Sequence, residues 1–179
     1  SYNQPENQIY PNIFHSCKNA LEENPDFGLL SPIIFGGCGN PDQQNQNLLD
    51  GVVLETNKTI CFISVLIRRE AWDQIGPMDE DFTGYGWDDD DYCHRAKLLG
   101  WKTGVFGSLQ IFHGSENRTM SSSYHTYFTK EEQKVNSSHN HEMFKKKWGF
   151  LPSKLPHFEY PKKDKQELLI NKLYGYSFR

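Results

Sequence analysis

The stretch GYGWDDDDYCHR, residues 84–95, sets four consecutive aspartates, Asp88 to Asp91, directly behind two glycines and a tryptophan. Adjacent carboxylates repel one another when ionised, so the run needs a physical reason. A helix starting within it supplies part of one. Its first turn exposes unpaired N–H groups and the positive end of the dipole, where an exposed carboxylate gains about 0.3 to 1 kcal/mol. That explains one or two acids, not four. Asp88 and Asp91 also share a helical face with Arg95, at spacings of three and four, so one carboxylate is expected to pair with the guanidinium. At most two then remain for chemistry. One chemistry open to them is calcium binding through oxygen ligands, with Asp79, Glu80 and Asp81 nearby in the sequence. No EF-hand spacing is present, and a solvated acidic cap with no chemistry is the plainest alternative.

The elements that must position this run are legible from periodicity and punctuation. In IYPNIFHSCKNALEENPDFG, Ile13, Phe14, Cys17 and Leu21 recur at helical spacing until Pro25 stops the pattern. GLLSPIIFGG then reads as a short buried strand, and GNPDQQNQNLLDG as a polar loop. VVLETNKTICFISVLIRREAW is β-rich, with ICFISVLI expected to be a central strand covered on both faces. RREAWDQIG is a short helix stopped by Gly76, and PMDEDF a turn. The helix that begins within the aspartates runs through YCHRAKLLG to Gly100. WKTGVFGSLQIFH reads as a strand pair, HGSENRTMSSSYHTYF as a mobile loop, and EEQKVNSSHNHEMFKKKWG as a last helix before an irregular tail.

Composition bounds the class. A chain of 179 residues with 36% hydrophobic content suits one globular domain with a real core. We place that domain at residues 1–150 and a tail at 151–179. No apolar run approaches the roughly 18 to 20 residues that span a bilayer, and SYNQPENQ is not a signal peptide. Cys17, Cys38, Cys61 and Cys93 form no C-x-x-C pair, which points to free thiols and a cytoplasmic setting. Residues 1–100 hold 6 Lys/Arg against 16 Asp/Glu and residues 101–179 hold 13 against 7, giving −10 and +6. An acidic body with a basic tail fits a cation site in the first part. The basic runs KKKWGF and PKKDK carry no nucleic-acid module, so nucleic acid is not an expected partner.

FISVLIRREAWDQIGPMDEDFTGYGWDDDDYCHRAKLLGWKTGVF, residues 62–106, resembles family 2 glycosyltransferases of the GT-A fold. There a buried strand leads to Arg-Arg/Lys-Glu, a helix, Gly-x-Phe/Met-Asp-Glu-x-Phe, a Gly-x-Glu-Asp segment, and a helix ending in Arg-x-x-x-x-Gly-Trp/Tyr. GWDDDDYCHR is also similar to the Gly-Trp-Gly-Gly-Glu-Asp-Asp-Asp segment of β-1,4-galactosyltransferases. LQIFHGSEN resembles the strand that delivers a metal-binding histidine, and NHEMFKKKWGF the Phe-x-x-Lys-Trp-Gly phrase that closes such domains. The resemblance covers roughly residues 10–150, and what carries it is several short motifs agreeing in order and spacing.

The resemblance implies an α/β fold, a mixed sheet flanked by helices. It implies an inverting glycosyltransferase that moves a sugar from a nucleotide-diphosphate donor, expected to be UDP-linked, to a hydroxyl of a glycan acceptor. Asp89 would be the general base and Asp88 its partner at the acceptor, standing where Glu is commoner. Trp87 and Tyr85 would stack on the acceptor sugar, with Gly86 letting the loop approach it. His113 would ligate Mn²⁺ or Mg²⁺ on the diphosphate, and Arg118 and Lys130 would offset its charge. The family's nucleotide-binding half, with an Asp-x-Asp motif, has no counterpart here, so we expect this sequence to be the acceptor-and-base half of a longer chain.

Overall fold

The computed structural model describes residues 13–36, 39–84, 86–113 and 127–160. The elements run α1 (Ile13–Glu23), β1 (Phe27–Phe35), β2 (Val53–Glu55), β3 (Leu66–Ile67), α2 (Arg69–Ile75), α3 (Asp88–Leu98), β4 (Lys102–Phe112) and α4 (Lys130–Trp148), followed by a 3-10 helix, Pro152–His157. The four strands form one mixed sheet in the order β2-β4-β1-β3, with β1 and β4 parallel and both edge strands antiparallel to their neighbours. The fold is therefore α/β with a mixed sheet flanked by helices.

Successive residues of β1 face opposite sides of the sheet, and each side has its own apolar cluster. Leu29 packs with Ile60, Ala71, Ile75, Tyr92, Cys93 and Ala96 beneath α2 and α3. Leu30 packs with Ala20, Phe27 and Phe106 beneath α1. Coverage on both sides explains why FGLLSPIIF is buried along nearly its whole length instead of alternating. Pro32 has no N–H for the ladder, and the β1–β4 register shifts immediately after it, from Pro32 opposite Phe106 to Ile33 opposite Gln110.

The helix limits follow the punctuation. Pro25 lies just beyond α1, whose last turn is capped by Asn24 Nδ2 donating to the Ala20 carbonyl and by the Arg68 guanidinium donating to the Leu21 and Asn24 carbonyls. Gly76 caps α2, and Gly100 follows α3 with φ +82°. Thr129 and Glu132 form a reciprocal capping box at the start of α4, and Gly149 ends it.

Two strand assignments need correction. ICFISVLI is not a central strand: only Leu66–Ile67 pair, at the edge of the sheet. Cys61 instead exchanges backbone bonds with a side chain, donating to Gln43 Oε1 at 2.9 Å and accepting from Gln43 Nε2 at 3.1 Å. Ile60, Phe62, Val65 and Ile67 still pack onto the α2/α3 cluster, so the apolar run reports burial and not strand pairing. WKTGVFGSLQIFH is one continuous strand, not two. Gly107 marks a close approach, since a Cβ there would lie 2.0 Å from the Leu49 carbonyl oxygen. Cys17, Cys61 and Cys93 are free thiols, and no helix among the described residues is long and apolar enough to cross a membrane.

Candidate functional site

Asp88 to Asp91 form the first turn of α3, with Trp87 as its N-cap. The four carboxylates have separate environments. Asp91 is fully buried and saturated: Arg95 Nε and Trp148 Nε1 each donate to it at 2.9 Å, and Lys147 Nζ lies 2.8 Å away. Lys147 also reaches Asp79, at 2.5 Å. The pairing with Arg95 is the one its spacing predicts. Asp90 accepts from Thr59 Oγ1 at 2.5 Å; burial pushes its carboxyl above the ordinary range, and the threonine hydroxyl opposes that. Asp88 is half-buried at the first helical position.

Asp89 stands apart. Burial, reinforced by repulsion from Asp90 and Asp88, pushes its carboxyl up to about 7, while the backbone N–H groups of Asp90 and Phe62 pull the other way. The Asp90 N–H lies 2.9 Å from Oδ1. A carboxyl poised near neutrality, with two fixed donors on its anion, both takes and releases a proton at pH 7. That property suits a general base.

A chain of bonds locates this carboxyl in the fold. Residues 57–62 run antiparallel along α3: Lys97 Nζ donates to the Asn57 carbonyl at 2.8 Å, the Cys93 thiol contacts the Ile60 carbonyl at 3.8 Å, and Phe62 reaches Asp89. The buried Gln43 ties Cys61 to the end of β1 through its own carbonyl, which accepts from the Ile34 N–H at 2.7 Å. Its Nε2 also donates to the Ser31 hydroxyl at 2.9 Å. The His113 N–H donates to the Phe35 carbonyl at 2.8 Å. Asp89 and His113 thus both lie toward the end of the sheet where the parallel strands finish. In open α/β sheets that end carries the ligand sites.

Trp87 has φ +73°, in the left-handed region that side-chain-bearing residues occupy at a cost of order 1 to 3 kcal/mol. Gly86, before it, has φ +94°. The half-buried indole meets the His141 ring edge-on, with centroids 5.7 Å apart. Asn140 of α4 accepts from the Thr83 N–H at 2.9 Å and donates to the Thr83 and Gly86 carbonyls at 2.8 and 2.9 Å.

The structure thus brings Gly86, Trp87, Asp88 and Asp89 together on one turn. Tyr85 and Arg118 lie outside the described residues. His113 is exposed at the end of β4. Among the described residues no group of three His, Cys, Asp or Glu side chains is placed to hold a metal ion.

Sequence reasoning missed Gln43, Thr59, Asn140 and His141, which lie in polar segments with no periodic mark. It also missed the surroundings of His94. This imidazole sits among Trp148, Phe150, Phe158 and Tyr160, with Nδ1 3.1 Å from the Tyr160 hydroxyl, and burial pushes it down to about 3. Residues 148–160 thereby brace the back of α3. No protein-family model, no curated protein and no solved structure matches the chain.

Proposed function

We propose that this chain is the acceptor-and-base portion of an inverting glycosyltransferase that moves a sugar from a nucleotide-diphosphate donor to a hydroxyl of a glycan acceptor. The observation that carries the proposal is Asp89: a half-buried carboxyl, its ionisation shifted toward neutral pH, on the turn that also presents the half-buried Trp87 indole. In the reaction, the acceptor hydroxyl attacks the anomeric carbon from the side opposite the nucleotide diphosphate, which departs with the bonding electron pair. The hydroxyl proton passes to Asp89. Such a base contributes typically a hundredfold to ten-thousandfold in rate. Asp88 hydrogen-bonds an acceptor hydroxyl, and the Trp87 face packs against the apolar C–H side of the sugar. His113 enters as a single imidazole at the strand ends.

Calcium chelation by the same acidic region has less support, because Asp79 and Asp91 are already engaged by Lys147, and Asp91 by Arg95 as well. The acceptor assignment is tested by NMR titration with p-nitrophenyl glycosides of glucose, galactose and N-acetylglucosamine. The Trp87 indole N–H signal is expected to move with at least one of them, and Trp87→Ala to abolish that binding. A signal unmoved by every glycoside at millimolar concentration refutes the acceptor site.

A further inference from the structure

α4 is a polar helix that buries only two of its described side chains, Asn140 and Phe144. A buried amide is costly unless its donors and acceptor are all used. Here they are: Oδ1 accepts the Thr83 N–H, and the two Nδ2 hydrogens go to the Thr83 and Gly86 carbonyls. All three partners are backbone groups of the loop leading to Trp87, and a loop of this kind would ordinarily bond to water. Neighbouring α4 residues touch the same segment. His139 Nε2 lies 3.2 Å from the Asp81 carbonyl, and the His141 ring meets the Trp87 ring. A Cβ on Gly84 would come within 2.5 Å of Asn136 Nδ2. The clamped segment ends at the strained Trp87, whose carbonyl accepts the Asp91 N–H at 3.0 Å in the first bond of α3. A strained residue persists only where its surroundings over-determine it.

We propose that Asn140 is a positioning residue: by clamping Thr83 and Gly86 to α4 it holds Trp87 in its left-handed conformation and so fixes the indole and the acidic first turn of α3 for ligand. The consequence for catalysis rests on the reading of Asp89 as the base; the clamp itself does not. Two variants separate the clamp from general folding. Asn140→Asp keeps the acceptor for Thr83 but replaces both donors with a carboxylate facing two carbonyls. Gly84→Ala leaves the buried face of α4 intact and loads the loop in two ways, by pressing it away from Asn136 and by placing a side chain at φ +75°; adding Asn136→Ala relieves the first and leaves the second.

Amide hydrogen exchange on the full chain is expected to show residues 86–91 exchanging at least about tenfold faster in both variants, with β1 and β4 unchanged. The carboxyl carbon of Asp89 is expected to titrate at lower pH as water reaches it. Wild-type exchange in 86–91 with an unmoved Asp89 midpoint overturns the proposal. If Asn140→Asp loosens β1 and β4 equally, Gly84→Ala with and without Asn136→Ala decides: wild-type protection of 86–91 in Gly84→Ala, or a loss that Asn136→Ala leaves unchanged, overturns the clamp, and a selective loss that Asn136→Ala reverses supports it. A confirmed clamp together with full sugar transfer by Asp89→Asn would sink the base assignment alone.

Discussion

Replacing Asp89 with asparagine removes a charge that its surroundings resist, and the effect on stability has a defined sign and pH window. The folded carboxyl is pushed from an ordinary 3.8 to about 7, so it holds its proton more tightly folded than unfolded. Its contribution to stability is fully present below about pH 4 and is lost as pH rises through about 7. The displacement corresponds to a penalty of order 4 kcal/mol on the native state once the group is ionised. Asparagine escapes the penalty but places a new NH₂ in a partly buried position, at a cost of about 1 to 3 kcal/mol. The expected net gain at pH 8 is therefore about 1 to 3 kcal/mol, or roughly 2 to 10 °C in Tm for a chain of this size. At pH 4 the gain disappears. Urea unfolding of both proteins at pH 4, 6 and 8 measures it. An Asp89→Asn protein no more stable at pH 8 than the wild type, with the same difference at pH 4, refutes the idea that the site opposes ionisation.

Other residues give independent checks. Asp91→Ala leaves Arg95 buried without its carboxylate and is expected to cost about 3 to 5 kcal/mol in denaturant unfolding; a loss below about 1 kcal/mol would mean the network is dispensable. Gln43→Leu removes the side chain that accepts from the Cys61 N–H and donates to the Cys61 carbonyl and the Ser31 hydroxyl, for an expected loss of about 1 to 3 kcal/mol, read from the urea midpoint at constant slope. His94, enclosed by aromatic rings and pushed down to about 3, is expected to keep constant ring chemical shifts from pH 5 to 8. A titration within that interval would show that residues 148–160 do not pack on α3 in solution.

Much of the local structure was legible because its causes are local. Pro25, Gly76, Gly100 and Gly149 mark helix ends through backbone conformation alone, and four-residue spacing sufficed to pair Asp91 with Arg95. ICFISVLI was misread because apolar content reports burial, whereas strand pairing depends on which backbone groups find partners. There Gln43, some twenty residues earlier, took the place of a neighbouring strand. WKTGVFGSLQIFH was likewise read as a strand pair, whereas it is one strand in which Gly107 makes room for the distant Leu49 carbonyl.

The site divides along the same line. The aspartates and Trp87 announce themselves as a motif, but their individual roles depend on Phe62, Thr59 and Lys147, which arrive through tertiary structure. Asn140 is one polar residue in a polar helix, and only the folded chain shows that it grips the loop carrying Trp87.

The most direct test of the central claim is sugar transfer by the protein expressed with its full reading frame, comparing wild type with Asp89→Asn on uridine-diphosphate sugars and glycan acceptors. The expected result is a fall of about a hundredfold or more in kcat, with acceptor binding at Trp87 retained. Transfer by Asp89→Asn at the wild-type rate would contradict the account.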